Sequence, residues 1–347
     1  MRHIKRPLFL ALLLAAVGVG SAWIAWGVSH RDDDPEFRGK PESAWIGALK
    51  YYDDDQTREW AGYGQPGVEV LVRGLERAHR PVERAYRHLY HRLPLMLLRC
   101  LPPPKPDSTR PTRMNILALL SELKETGETA VPTVLDTAIG DESDSVRQMA
   151  FSYFNSSEDE HCLHYRLQPG QRRKLVRSLL RDAEDPQNWG LRNNAAHGLR
   201  YYPEFKDQVA PVLVRLLKDS QAEVRLIAAE GLLRLDPASA PKAGVTSLLA
   251  HMASLTNDQL AWRAVEMLDK PGIELPLAVP ALVEALRSPS PLVSHTAVSV
   301  LRHLRPQLKP YENSVLPALR IAAQGKDVTA KEAMKELEKW EPASPPQ

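Results

Sequence analysis

Residues 210–235 read APVLVRLLKDSQAEVRLIAAEGLLRL, and this stretch decides the fold that the sequence predicts. Apolar residues recur in it at intervals of three and four on both sides of a polar break at Asp219 and Ser220. That spacing places the apolar side chains on one face of a helix with 3.6 residues per turn. The stretch therefore predicts two amphipathic helices joined by a short turn, the first of which begins at Pro211.

The same pattern recurs along the chain. Segments aligned on the small or apolar residue that follows a Val-Arg-like pair give seven marker residues: Ile116, Ala150, Ala195, Ala228, Ala264, Ala297 and Ala333. Successive markers lie 34, 45, 33, 36, 33 and 36 residues apart, and such a period is typical of helical repeat proteins. We predict that each marker and the residue four positions later form one buried ladder. We also predict that Pro132, Pro280 and Pro317 begin helices, as Pro211 does.

These segments resemble the HEAT-repeat family, including its bacterial HEAT-like members of the phycobilisome-lyase (PBS-lyase) type. The resemblance rests on VPALVEAL at 279–286, DSQAEVRLIAAEGL at 219–232 and DSVRQMA at 144–150. It implies an all-α fold, an α-solenoid (superhelix) of HEAT-like helical hairpins over residues 108–340, with the second helix of each hairpin on the concave surface. Chromophore attachment, as in the lyases, is a further activity that it implies. Because many unrelated proteins use such repeats, the resemblance says little about function.

An arginine stands three residues before each of the first four markers, at Arg113, Arg147, Arg192 and Arg225. Ala261 and Ser294 occupy the corresponding positions before the next two markers. We therefore expect a ladder of polar interactions along the turns within the repeats, interrupted at Ala261 and Ser294.

The segments outside the array are less regular. Residues 43–107 are interpreted as a degenerate N-terminal repeat that caps the array and ends in a proline-rich linker, because terminal repeats are usually atypical. Residues 341–347, with the sequence EPASPPQ, are expected to form a disordered tail.

The N-terminus predicts a membrane anchor. Residues 7–28 contain no charge and are long enough, at about 1.5 Å per residue, to cross a hydrocarbon core of roughly 30 Å. Three basic residues lie in segment 1–6 and Asp32, Asp33 and Asp34 follow in the juxtamembrane linker 29–42, so segment 1–6 is predicted to be cytoplasmic and the body extracytoplasmic. The alternative is a cleaved signal peptide that leaves a secreted or periplasmic protein.

The remaining chain offers little chemistry. Without its first 28 residues it carries 42 basic and 43 acidic residues, which argues against nucleic acid as a partner. No serine elbow, zinc-protease motif or glycine-rich phosphate loop is present, so the sequence predicts no enzyme, no catalytic residues, no cofactor and no small-molecule substrate. Glu160, His161, Cys162 and His164 form a cluster in the inserted segment 155–170, which is interpreted as a surface loop rather than a metal site.

One polar segment of the array is the candidate site. Trp189, Arg192, Asn193 and His197, together with Glu230 of the next repeat, are predicted to contact a protein partner, since Trp and Arg are frequent at binding hot spots. The alternative is that Trp189 packs on the turn and the polar groups are solvated. The predicted function is thus a membrane-anchored, extracytoplasmic HEAT-repeat scaffold that binds a protein. A secreted or periplasmic solenoid that binds a cofactor or assists maturation of another protein is the alternative.

Overall fold

The computed structural model describes residues 34–79, 81–90, 92–93, 98, 101–104, 106–123, 127–155, 167–325 and 328–340. The protein is all-α, as predicted: about 73% of it is helical, with seventeen α-helices in the described residues. No described helix combines the length and the apolar character that membrane crossing requires. The predicted anchor at 7–28 and the tail at 341–347 lie outside the described residues, as does the predicted cluster at 160–164.

The N-terminal part begins with a small hairpin, β1 (Glu36–Phe37) and β2 (Lys40–Pro41), in which Phe37 pairs with Lys40. Both turn residues, Arg38 and Gly39, have positive φ, as a two-residue hairpin turn of this twist requires. Helices α1 (Glu42–Gly47), α2 (Asp54–Ala61), α3 (Gly64–Ala78) and α4 (Pro81–Tyr90) follow. The hairpin is fixed to them by an aromatic cluster of Phe37, Trp45, Trp60 and Tyr63, whose ring centroids lie 5.4 to 6.4 Å apart.

The rest of the chain consists of helix α5 (Arg110–Glu122) and six helical pairs. In chain order the pairs are α6 (Val131–Gly140) with α7 (Asp144–Asn155), α8 (Pro169–Asp182) with α9 (Trp189–Leu199), α10 (Lys206–Leu216) with α11 (Ala222–Leu235), α12 (Val245–Ala253) with α13 (Asp258–Glu266), α14 (Leu275–Ala285) with α15 (Pro291–Leu304), and α16 (Glu312–Ala323) with α17 (Val328–Trp340). The two members of each pair pack together, and each second helix also packs on the second helix of the next pair. Helix α5 packs on α3 and α7, and so occupies the place of a second helix before the first pair.

The predicted ladder is buried. All seven marker residues are at most 1% exposed. Of the residues four positions later, six are equally buried and Leu337, in the last helix, is partly buried against the core. The i and i+4 side chains of every second helix therefore face the core, because they lie on one side of the helix.

The structure corrects the predicted helix starts at three of the four prolines. Pro132 lies in the first turn of α6, as expected, but Pro211, Pro280 and Pro317 each lie inside a helix, five residues after its first residue. All three rings are on the exposed side of their helices, so the carbonyl groups that lack an amide partner are open to water. The residue two positions before each proline is completely buried, and this packing offsets the lost hydrogen bond. Pro111 also lies in a first turn, that of α5.

The arginine ladder is present at three of the four predicted positions, whereas Arg225 donates to the carbonyl groups of its own turn. Arg113 is paired with Asp141 at 2.9 Å, and Arg192 with Asp219 at 2.6 Å, so each links one turn to the next. The link from Arg147 to Asp182 is longer, at 3.8 Å. The pKa of Asp182 is raised, because burial raises it by more than the charges of Arg147 and Arg181 lower it. At the predicted interruptions, Ala261 is buried and the Ser294 hydroxyl donates to the carbonyl of Ser290 at 3.2 Å.

Candidate interaction surface

The second helices present a row of partly or fully exposed residues. The position two residues after the marker, which is Ser152, His197, Glu230, Glu266, Ser299 and Lys335 in successive pairs, is nowhere buried. Since neighbouring second helices pack side by side, these residues form a continuous strip across the array. The repeat register explains the strip, because a position two residues from a buried one points about 200° away on a helix.

Trp189 is exposed, as the sequence suggested. It is the first residue of α9 and leaves 46% of its surface open to solvent. The preceding Asn188 caps the helix, its side-chain oxygen accepting from the Leu191 amide at 3.2 Å, and its amide nitrogen donates to Asp144 of the previous pair. The indole is therefore held at a fixed helix start rather than on a free loop.

Arg192 is placed away from the strip. Its guanidinium is bound to Asp219 through Nε at 2.6 Å and Nη2 at 2.9 Å, and Nη1 donates to the carbonyl of Asp185 at 2.9 Å. These contacts keep the pKa of Arg192 above its ordinary value. It lines a separate cavity of about 320 Å³ at the turns, with Pro186 and Arg215 among its neighbours. Arg192 thus joins two repeats and does not belong to the same surface as His197.

Asn193 and His197 lie one turn apart on α9 and are half-buried. The Asn193 side-chain oxygen is buried and accepts no hydrogen bond from the described residues. Burial lowers the pKa of His197 to about 4, and the charges of Arg200 and Arg263 add to this effect. His197 is therefore neutral near pH 7, and its Nε2 accepts a hydrogen bond from Arg200 Nη2 at 2.9 Å.

A charged network joins three successive second helices at this point. Arg200, directly after α9, donates through Nη1 to Glu230 Oε1 of α11. Arg263 of α13 donates through Nη2 to Glu230 Oε2 at 2.8 Å. Glu230 thus holds two guanidinium groups with its two oxygens, and Arg200 joins it to His197 in one network. Charge-assisted hydrogen bonds of this kind fix side-chain geometry as well as adding energy.

The network extends onto an aromatic ring. The guanidinium carbon of Arg200 lies 4.8 Å from the ring centroid of Tyr201, and that of Arg234 lies 5.0 Å from the same centroid. Arg200 also donates to the Tyr201 hydroxyl through Nη2 at 2.7 Å. Cations at this distance from an aromatic face are attracted to it by the ring quadrupole.

A cavity of about 520 Å³ opens beside this network, between α11 and α13. It is lined by Glu230, Leu233, Arg234, Arg263, Glu266, Met267, Lys270 and Pro271. The lining combines three cations, two carboxylates and an apolar part, and its volume lies in the range of ligand sites in proteins. Within the part of the chain that the structure describes, no cluster of His, Cys, Asp or Glu is arranged to hold a metal ion.

Sequence reasoning missed the basic residues of this site. Arg234 and Lys270 both stand six positions after their markers, as do Tyr201, His303 and Lys339 in other repeats. The recurrence of basic or aromatic residues at the sixth position after the marker could have been found by extending the alignment of the repeats past the last helical turn. Arg200 and Arg263 stand at different positions of their repeats, and only the packing of α9, α11 and α13 brings them to one carboxylate.

Comparisons with known proteins add distant structural likenesses. No family model matches the chain, and no curated protein matches it. Among solved structures, an engineered protein shares 17% identity at a TM-score of 0.46, over 86% of this chain and 88% of its own. The protein YibA of Escherichia coli shares 15% identity at a TM-score of 0.42, over 74% of this chain and 97% of its own.

Proposed function

We propose that this protein is a membrane-anchored, extracytoplasmic scaffold of HEAT-like repeats that binds a partner protein along its second helices. The chain of packed second helices supports a solenoid, since each pair contacts mainly the pairs before and after it. The strip at the second position after each marker, with the cavity beside Glu230, supplies the binding surface. This strip is the observation that carries the proposal, because it is continuous across the array and mostly polar.

The first described residues support a short tether. Asp34 accepts hydrogen bonds from the Ser43 amide at 3.1 Å and from Arg77 at 3.1 Å, and Arg77 also binds the buried Glu42. The body is therefore fixed to the chain from Asp34 onward. Asp34 lies six positions after Val28, the end of the predicted span, and an extended segment covers at most about 20 Å over that distance. A body held so close to the membrane surface meets partners in or near the same membrane.

Crosslinking in native membranes tests the scaffold. The intact chain is compared with a variant carrying Trp189→Ala and Glu266→Ala, which changes two exposed residues of second helices. A matched control carries Leu277→Ala and Glu284→Ala, which changes one exposed apolar and one exposed acidic residue of a first helix. We expect a dominant crosslinked protein that is lost in the first variant and kept in the control. The same crosslinks in all three chains would contradict the proposal.

The anchor has its own test. Alkaline carbonate extraction is expected to leave the full chain in the membrane pellet and to release a chain that begins at Ser29. Release of the full chain would contradict the anchor, and a mature mass that lacks the first residues would support the signal-peptide alternative instead.

A further inference from the structure

We infer that the open face of the last helical pair binds a second copy of the chain, with the two α17 helices packed antiparallel about a two-fold axis at Met334. This inference goes beyond the proposed function, because it concerns one end of the array and not the strip that binds the partner protein.

The last second helix exposes a position that is buried in the earlier repeats. Met334, one residue after the marker Ala333, leaves 51% of its surface open to solvent. The residues at the same position of the earlier repeats are apolar and at most 3% exposed: Leu117, Phe151, Ala196, Ala229, Val265 and Val298. Each of these lies on a helix that packs against the second helix of the following pair, whereas no such pair packs on α17 in the described part of the chain. Met334 therefore lies where a further repeat would pack.

The first helix of the last pair is open as well. Ala322 and Ala323 of α16 are half-buried. The residues at their positions in α14, counted from the proline inside each helix, are Ala285 and Leu286, which are at most 6% exposed. Small side chains in α16 let another surface approach closely, and a flexible methionine fits an irregular contact. The opposite end of the array differs, because α3 covers α5 there.

The charges beside Met334 are complementary to those of a second copy. Lys331 and Glu338 are exposed, and neither has a hydrogen bond or an ion pair within the described residues. They stand three residues before and four residues after Met334, and a separation of seven residues leaves them within about 20° of each other around the helix. When two α17 helices run antiparallel about Met334, Lys331 of one copy lies within about 1.5 Å, along the axis, of Glu338 of the other. The two-fold axis forms this pair twice, so the face is self-complementary.

The same charges disfavour a parallel contact. In a parallel pair Lys331 lies opposite Lys331 of the second copy, and Glu338 opposite Glu338, so that like charges repel. The antiparallel pair also keeps the Lys335 sides of both helices together, since the two-fold axis is perpendicular to the helices. Lys335 belongs to the exposed strip, and the strips of the two copies therefore face the same way.

The size of the end face sets the expected strength. Helix α17 has 13 residues and is about 20 Å long, and packed helices such as α16 and α17 lie about 8 to 10 Å apart. Two such faces bury on the order of 1,000 Å² in total, which is the size of weak and transient interfaces. The dimer is therefore expected to depend on concentration and is best detected by covalent capture.

Disulfide crosslinking of the full chain in intact cells tests the contact. Cys100→Ser and Cys162→Ser remove the two native cysteines, and chains that carry two different tags are coexpressed. Met334→Cys in both chains is expected to give, after brief oxidation, a dimer that carries both tags. Gln208→Cys, at an exposed position of the first helix α10, is the matched control and should give at least tenfold less dimer.

Mixed pairs of variants test the antiparallel register. Lys331→Cys in one chain with Glu338→Cys in the other should give at least fivefold more dimer than Lys331→Cys in both chains. The reason is that the two Lys331 positions lie about 9 Å apart along the axis, which is beyond the reach of a disulfide.

Charge reversal tests the ion pairs, with Met334→Cys as the reporter. Lys331→Glu is expected to lower the yield of dimer at least fivefold. Addition of Glu338→Lys to the same chain should restore at least half of the yield, because the pair is then formed with its charges exchanged. Lys218→Glu, at an exposed lysine of the α10–α11 turn, is the matched control and should leave the yield unchanged.

Absence of the dimer with Met334→Cys, equal yields from the mixed and the identical pairs, or no recovery in the Lys331 and Glu338 double variant would overturn the inference. A disulfide between Met334→Cys and a different protein, in place of the second copy, would also overturn it and would assign the face to that protein. The scaffold is tested separately, by the crosslinks that depend on Trp189 and Glu266.

Discussion

Replacement of Arg113 by Met is expected to lower the free energy of unfolding by about 3 to 5 kcal/mol, because it removes one partner of a buried ion pair. The Arg113 side chain is 1% exposed and contacts Asp141 through Nε at 2.9 Å and Asp107 through Nη2 at 2.6 Å. Asp141 is equally buried. In the variant it keeps His79 and the Ser143 amide as partners, which do not replace a guanidinium charge.

The carboxylate of Asp107 gives an independent magnitude. Burial raises its pKa, but hydrogen bonds from Arg113 and Thr109 outweigh that effect and lower the pKa to about 2 from a value of 3.8. This shift corresponds to about 2 kcal/mol of stability. Because the folded pKa is depressed, the contribution is complete above pH 3.8 and is lost as the pH falls toward 2. Arg113→Met should therefore also reduce the loss of stability over this acidic range.

Arg225→Met is the matched control, since it makes the same change at the same position of another repeat. Arg225 donates through Nη1 to the carbonyls of Asp219 and Ser220, at 2.8 and 3.0 Å. The Arg225→Met variant leaves no buried carboxylate without its partner, and we expect its free energy of unfolding to be lower by about 1 kcal/mol. Both losses of stability are measured by unfolding the full chain with urea in detergent and monitoring circular dichroism at 222 nm. Equal costs for the two variants would refute the electrostatic role of the buried ladder.

Three further outcomes follow from the structure. Between pH 6.5 and 4 the unfolded His197 takes up a proton, whereas the folded side chain, beside Arg200 and Arg263, does not. The free energy of unfolding therefore falls by at most about 3 kcal/mol as the pH falls through this range. His197→Gln should flatten this dependence in urea titrations, and an unchanged slope would contradict the assigned burial. Gly272→Ala is expected to lower the free energy of unfolding by more than about 1 kcal/mol, because Gly272 has a positive φ and a Cβ there would contact Pro237. Gly140→Ala has open space at its Cβ and should leave the free energy of unfolding nearly unchanged in the same titration. Leu232→Ala should cost about 2 to 5 kcal/mol, since Leu232 is fully buried, and a thermal midpoint like that of the parent chain would show that the ladder is not the core.

The features that the sequence predicts correctly are those that follow from burial in the core. A buried position must recur with the helix period and with the repeat period, so the markers and their partners four residues on could be read directly. The arginines at 113 and 192 were placed in a ladder because they stand at one repeat position, and the structure pairs each with an aspartate of the following turn.

The features that sequence missed depend on contacts between repeats. The pattern predicts a helix start at Pro211 because proline favours a first turn, but the helix begins five residues earlier, at Lys206, and buries Val209 before it reaches the proline. The short separation of Arg192 from His197 in the sequence predicts that the two share a surface. Five residues on a helix turn the side chain by about 140°, and Arg192 instead binds Asp219. The network of Arg200 and Arg263 on Glu230 joins three helices, so no single segment predicts it.

The central claim, that a partner protein is bound on the second helices, is tested most directly by site-specific photocrosslinking in native membranes. A photoreactive amino acid is placed in turn at Ser152, Glu266 and Lys335 of the second helices, and at Gln208 and Glu284 of the first helices, all of which are exposed. The account predicts adducts of one protein from two or more of the second-helix positions and from neither first-helix position. Adducts with equal yield from both sets, or only from the first helices, would contradict it.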